Sequence, residues 1–580
     1  MGYTDWNLYR IDIALKWWNF SLTHNNLVAI RRFLKLEKKL EGSKASYIGL
    51  EGWKETALYI VARTGNVETA EFLVQNGAHI SGFGKPYQAP LNQAISRRNM
   101  RLLKYLIQDG GDINGELLHE AIIQTEGDIR IVKILVENGA NVNAQGGLYG
   151  NPLQVAALRW KSLELVKFLV EKGAIINAQG GHFGYSLQAA AWEGNLEVVK
   201  FLVENKADIN AQGGGYGNAL QAAAYRQKMN VVKFLVANGV QVNEQGGMYG
   251  NALQAAAAGA EHVNNHQQAL KIAQFLVTAG ADVNAQGGQY GNALHAAAHT
   301  GNPGIFKLLL DHGANDTIQG AGEYGSILQA ASYGGNLKIV QVLVERGANV
   351  NAQGGRYGTP LQVAACRGNL NIFMYLIHKG ADMNLQGGEY GLMLQAGAYG
   401  GDIDIIKYLV AHGANTSDQG GKYGTALHAA TDAWKSEVVK YLVAKGADIN
   451  AKSMEYGTPL HVASSRRDLE IVKYLVQNGA NINAVGGQYG MALQAAAATG
   501  NLDIVKYLVQ RGADVNAKGG RYDTALQATV GEAYNSYNVV KFLVQNGADG
   551  FSQGGKYGTA LEAAKVQGKW DVVQYLQNSF

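Results

Sequence analysis

A single cysteine, Cys366, stands in the chain of 580 residues, so no disulfide can form within it. Disulfide-stapled scaffolds are thereby excluded, and the usage fits a reducing compartment. An excess of one charge is also missing: 50 Lys and Arg against 46 Asp and Glu leave a net +4. That balance argues against nucleic acid or an anionic membrane as the main partner. No run of about 18 apolar residues exists that could span a bilayer. The opening Met1-Gly-Tyr-Thr-Asp-Trp lacks the basic-then-apolar pattern of a secretory signal. A soluble, cytoplasmic protein is expected, in which the Asn-x-Ser/Thr triplets at Asn19, Asn315 and Asn415 are chance matches.

Signatures of chemistry are equally scarce. Glycine pairs such as Gly146-Gly147 and Gly354-Gly355 recur along the chain, but a phosphate-binding loop needs glycines opening into a helix after a buried strand, or a Gly-Lys-Ser/Thr end. Gly421-Lys422 is followed by Tyr423, so the pairs read as turns. No Ser/His/Asp or Cys/His grouping can be assembled from local spacing. His262 and His266 stand four apart, a spacing that would place both on one helical face and keeps a metal-dependent enzyme as an alternative. No Glu beside the first His in the protease pattern and no Cys support it, and an exposed polar loop is the simpler reading. No metal, cofactor or small-molecule substrate is expected.

What the chain has instead is repetition. The stretch Gln488–Gly520 contains a short Ala-rich helix from Ala492 to Ala498, a break at Gly500-Asn501, and a second helix. Asn501 is placed to cap that helix, Leu502, Ile504, Val505, Leu508 and Val509 form its apolar stripe, and Gly512 ends it. Asp514 to Gly520 reads as an extended arm and a tight turn. One unit cannot cover its own stripe, so like units must stack. An aromatic four residues before the first-helix leucine marks the register at Tyr149, Phe183, Tyr216, Tyr249 and on to Tyr557, at intervals that are nearly all 33 or 34. The interval after Tyr249 is lengthened by Gly259 to Gln268, expected in the turn between the two helices. Gln follows the leucine at Gln154, Gln221, Gln362 and other units, and His replaces it at His295, His428 and His461. A column shared by these two suggests a side chain that hydrogen-bonds backbone between units.

The unit resembles the ankyrin repeat, in Thr458-Pro459-Leu460-His461 at the helix start and Gly512 to Ala517 at the end. The resemblance implies an all-α repeat solenoid, helix-turn-helix pairs with β-hairpin fingers stacked into a curved, elongated superhelix. On this reading residues 1–51 form an N-terminal helical cap, 52–147 three divergent repeats, 148–555 twelve regular repeats and 556–580 a C-terminal capping half-repeat. The dialect seen at Asn143 to Ala156 is similar to the ankyrin arrays of fungal NACHT or incompatibility-type receptors, here without their nucleotide-binding module.

Specificity belongs in the columns where the units differ. The resemblance places two of these on the concave face. Five and six residues after the leucine stand Arg159, Trp192-Glu193, Tyr225-Arg226, His299, Tyr333, Arg367, Tyr399 and Arg466, with Trp160, Trp434 and Arg467 adjoining. Trp, Tyr and Arg are the types enriched at binding hot spots. Before the register tyrosine the charge alternates, as at Arg356, Glu389, Lys422 and Glu455, which favours a patterned protein surface over a uniform polyanion. The expected function is a non-enzymatic scaffold that binds a protein, the alternative being the recognition array of an intracellular signalling system. Some of these aromatics could equally pack against neighbouring units.

Overall fold

The computed structural model describes residues 53–76, 78, 80, 90–113, 115–158, 162–259, 266–316, 324–533 and 537–580. The proposed N-terminal cap, Arg159, Trp160 and His262 lie outside them. The described residues form 32 helices in sixteen consecutive pairs, from Trp53–Thr64 to Trp570–Ser579. The chain divides into two compact units, one up to Gly288 and one from Gln289, and the same construction is used in each.

The first helix of a pair is short because almost nothing in it is free of contact. All seven residues of Ala492–Ala498 are buried, and alanine lets the helices of the units on either side approach closely. The second helix, Leu502–Gln510, is one-sided: Ile504, Val505 and Leu508 are buried while Asp503, Lys506 and Gln510 are exposed. Asn501 caps it as the sequence indicates, its Oδ1 accepting from the Ile504 amide at 3.1 Å. Gly512 follows at φ +94°, the left-handed conformation that closes such a helix without steric cost.

The expected hairpin finger is reduced to one antiparallel bridge pair. Gly146 bridges Gly150, Gly354 bridges Gly358 and Gly486 bridges Gly490, each closing a three-residue tip. Two glycine columns make so tight a loop possible. Gly358 sits at φ +88°, and a Cβ there would meet Gln362 Oε1 at 2.1 Å. The long insertion also differs from the expected loop, because its end is helical: His266 opens a 13-residue helix, His266–Thr278, that extends the second helix of that unit by a turn.

Polar joints between units end on backbone. Gln221 accepts from the Asn218 amide through Oε1 at 2.7 Å, completing its own helix cap, and its Nε2 donates to the Gly250 carbonyl of the following finger at 2.7 Å. His428 does the same through Nε2 toward the Gly457 carbonyl at 3.0 Å, and His461 toward the Gly490 carbonyl at 3.1 Å. The shared Gln/His column is therefore a reader of the next finger's backbone, as the sequence suggests. A second joint uses asparagine: Asn143 Nδ2 donates to the Gly173 carbonyl at 2.9 Å, and its Oδ1 accepts from the Ile175 amide at 2.8 Å. In the pair Ala560–Ser579 the Gln column holds Glu562, which caps its own helix on the Thr559 amide at 2.7 Å but has no N–H to offer a further finger.

Candidate protein-binding surface

The register tyrosine precedes the second bridging residue of each finger, so its ring is aimed at the end of the first helix, and the repeat brings successive rings together. In the unit up to Gly288, Phe183 and Tyr216 stack at 5.8 Å and Tyr216 and Tyr249 at 6.3 Å. Trp192 packs on Tyr216 at 4.2 Å, and Tyr225 on Tyr249 at 4.4 Å. From Gln289 onward Tyr324, Tyr357, Tyr390, Tyr423 and Tyr456 continue in the same way, at 5.7 to 6.5 Å. His299 lies between Tyr324 and Tyr333, and Tyr399 between Tyr390 and Tyr423.

This ladder changes what the sequence-picked residues can offer. Tyr225 and His299, expected on an exposed face, are buried, only 6% and 8% accessible, because the tyrosine rings close over the helix ends. Trp192, Glu193, Tyr333 and Tyr399 are half-buried. Burial pushes the Cys366 thiol up to about 12 and the Tyr456 hydroxyl up to about 12, and raises Tyr390 and Tyr423 well above the ordinary range. Cys366 is thus a protonated packing group, without the thiolate a nucleophile needs.

The cations lie on the rim of the ladder. The Arg226 guanidinium covers Trp192 at 4.6 Å, that of Arg367 covers Tyr333 at 4.4 Å, and that of Arg466 stands 5.7 Å from Trp434. Arg466 is further fixed by Asp432, with Nε and Nη2 each 2.7 Å from Oδ1. Arg356 pairs with Glu389 at 2.8 Å, while the exposed Lys422 reaches over Tyr423 at 5.9 Å. Finger-tip backbones join these charges into a line, Glu389 donating to the Arg356 carbonyl at 2.8 Å and Lys422 to the Glu389 carbonyl at 2.7 Å.

Trp434 and Arg467 occupy the turn column that holds Gly301, Gly368 and Gly500 in other units, and both keep the left-handed backbone of that column, at φ +56° and +65°. A bulky residue there carries strain, and Trp434 is also 56% exposed, its Nε1 donating to the Arg466 carbonyl at 3.2 Å. The Arg467 guanidinium donates to the Thr499 carbonyl. Sequence reading passed over Lys435, which follows Trp434 in the N-cap column where Asn369 and Asn501 act as caps and makes no side-chain cap bond. The signal was available as a Lys in a column mostly of Asn, Asp and Ser, shared with Lys228 and Lys569. It also passed over Glu532, which gathers the Tyr522 hydroxyl at 2.5 Å, the Tyr489 hydroxyl at 3.3 Å and Arg521 at 3.5 Å.

Lysines on the second-helix face are locally engaged. Lys200 pairs with Glu197 at 3.1 Å, and Lys133 and Lys167 lie over Phe168 and Phe201 of the following units. Among the described residues no group of three or more His, Cys, Asp or Glu is arranged to hold a metal ion, and no helix is long and apolar enough to cross a membrane.

The family models agree with this geometry. Family models described as ankyrin repeats match residues 53–81 and, in overlapping three-repeat segments, 91–579. An ankyrin repeat protein of Rickettsia felis is 37% identical over 138 residues, 22% of this chain and 59% of that protein. The chain thus spans well under two thirds of that curated relative's length. The crystal structure of the human ASB11 ankyrin repeat domain aligns with a TM-score of 0.34 and 24% identity, over 38% of this chain and 98% of that one. With family matches over nearly all of the described residues and paired helices throughout them, the chain belongs to the ankyrin-repeat family, whose members are in general protein–protein interaction modules.

Proposed function

We propose that this chain is a non-enzymatic scaffold that holds a protein partner on the surface formed by its finger tips and first-helix ends. One observation carries the reading: Trp434 keeps a strained left-handed backbone in a glycine column while presenting a mostly exposed indole between Arg466 and Lys435. Strain retained with little burial gained in return marks a residue kept for contact with something else. Arg356, Arg367, Lys422, Arg466 and Arg467 would surround that anchor with charge, and Trp192 with Arg226 would repeat the motif nearer the start of the chain.

The test uses Trp434→Gly. Glycine fits φ +56° at no cost, so relief of strain and loss of the Arg466 contacts should nearly cancel, leaving stability within about 1 kcal/mol of wild type. Affinity capture from cells expressing the full chain, read by mass spectrometry, should then lose specific partners with the helical spectrum and melting unchanged. An undiminished set of partners would sink this choice of surface. Truncating the buried Tyr225 would be a poorer test, because it also unpicks the ladder.

A further inference from the structure

Beside Trp434 lies a recess of about 460 Å³ whose walls include Arg367, Tyr399, Asp432, Trp434, Lys435 and Arg466. Three cations face it against one carboxylate. Asp432 is spent on Arg466, its side chain 9% accessible, so it fixes the guanidinium and offers little to a ligand. Of the finger-tip acids, Glu389 is held by Arg356 at 2.8 Å, and Glu455 lines an adjoining recess with Asp432 and Arg466. Among the described residues neither the Arg367 guanidinium nor the Lys435 ammonium has an ion-pair partner. Both are nonetheless held in place. Arg367 lies over the Tyr333 ring at 4.4 Å, and the Lys435 stem runs against Gly401.

The geometry points to this recess as a docking site for an extended acidic segment of a protein partner, with carboxylate side chains paired to Arg367 and Lys435 and the intervening backbone lying against Trp434 and Tyr399. Charge complementarity selects that occupant, because a neutral or basic segment would leave two fixed cations desolvated and unpaired. The aromatic walls select a peptide over a free inorganic anion, which would leave the exposed indole uncovered. Cations already clamped by ring and stem lose little freedom on binding. The inference rests on the scaffold reading above and names the chemical class of its partner.

The test is an anisotropy titration of the full chain against a fluorescein-labelled peptide of alternating Glu and Gly, beside the same peptide with Gln in place of Glu. The Glu peptide should bind, the Gln peptide should not, and raising NaCl from about 0.05 to about 0.3 M should weaken the complex. Arg367→Gln and Lys435→Gln should each weaken it about tenfold, as loss of a charge-assisted pair implies, whereas Lys506→Gln, on an exposed helix face outside the recess, should change nothing. Equal binding of the Gln peptide, full affinity in both variants, or displacement by inorganic phosphate at equal concentration would overturn the assignment. If the Glu peptide fails to bind while Trp434→Gly still loses its captured partners, this inference falls and the scaffold reading stands.

Discussion

Replacing His428 by Gln should remove a pH sensitivity built into the second unit while leaving its framework intact. His428 is fully buried, accepting from the Thr425 hydroxyl at Nδ1 (2.8 Å) and donating from Nε2 to the Gly457 carbonyl (3.0 Å). Burial lowers its pKa from 6.5 to about 4; the Gly457 carbonyl and Asp448 oppose the fall, and His461 adds to it. The folded state holds the ring neutral, so its contribution is complete above pH 6.5 and is lost as pH falls toward 4, where the unfolded chain binds the extra proton. With those two values, linkage gives a loss of roughly 1 kcal/mol at pH 5.5 and roughly 2–3 kcal/mol at pH 4.5, on the order of tenfold and approaching a hundredfold in the opening equilibrium. Gln395, in the same column one unit earlier, already donates to the Gly424 carbonyl at 3.1 Å, so glutamine fits the place without a titrating proton. Peptide-resolved hydrogen exchange over Ala426–Asp432 reads the difference, because comparing wild type and variant at one pH cancels the intrinsic rate. Protection in the wild type should fall relative to His428→Gln by those factors between pH 7 and pH 4.5. Parallel loss in the two proteins would refute the reasoning.

Two framework predictions can be checked by urea unfolding followed by circular dichroism. Gln362→Leu should cost about 2–3 kcal/mol, since it strands the buried Thr359 amide, now 2.9 Å from Oε1, and removes the 3.0 Å bond to the Gly391 carbonyl, whereas Gln362→His should recover most of the loss. Gly358→Ala should cost more than about 2 kcal/mol, its Cβ meeting Gln362 Oε1 and the Gly387 carbonyl carbon at 2.9 Å. Gly380→Ala, at φ +86° with nothing within 4 Å, should cost only the conformational penalty of about 1 kcal/mol.

The parts of the fold set by local chemistry were legible from residues alone. Asn501, Gly512 and the Ile504, Val505, Leu508 stripe sit where spacing puts them, and the shared use of Gln and His revealed a bond to backbone before any coordinate did. The parts that depend on a neighbour 33 residues away were not. Tyr225 and His299 look like free hot-spot residues in one unit's letters, and only the ring of the next finger buries them. Trp434 was visible as an adjoining aromatic, but its meaning lies in the glycines of the same column, a comparison between units and not within one. The hairpin finger shrank to a single bridge because two glycine columns turn the chain too tightly for a strand to continue.

The polar joints of Gln and Asn bear on how such a chain can change over time. Each ends on a main-chain carbonyl or amide of the following unit, an atom every residue possesses, so these joints make no demand on the side-chain identity of the successor. Whole units could therefore be duplicated, deleted or exchanged by recombination in register with the polar joint at each new seam re-formed. A coding sequence built this way can try new combinations of Trp434-like anchors and Arg367-like clamps without first solving a folding problem.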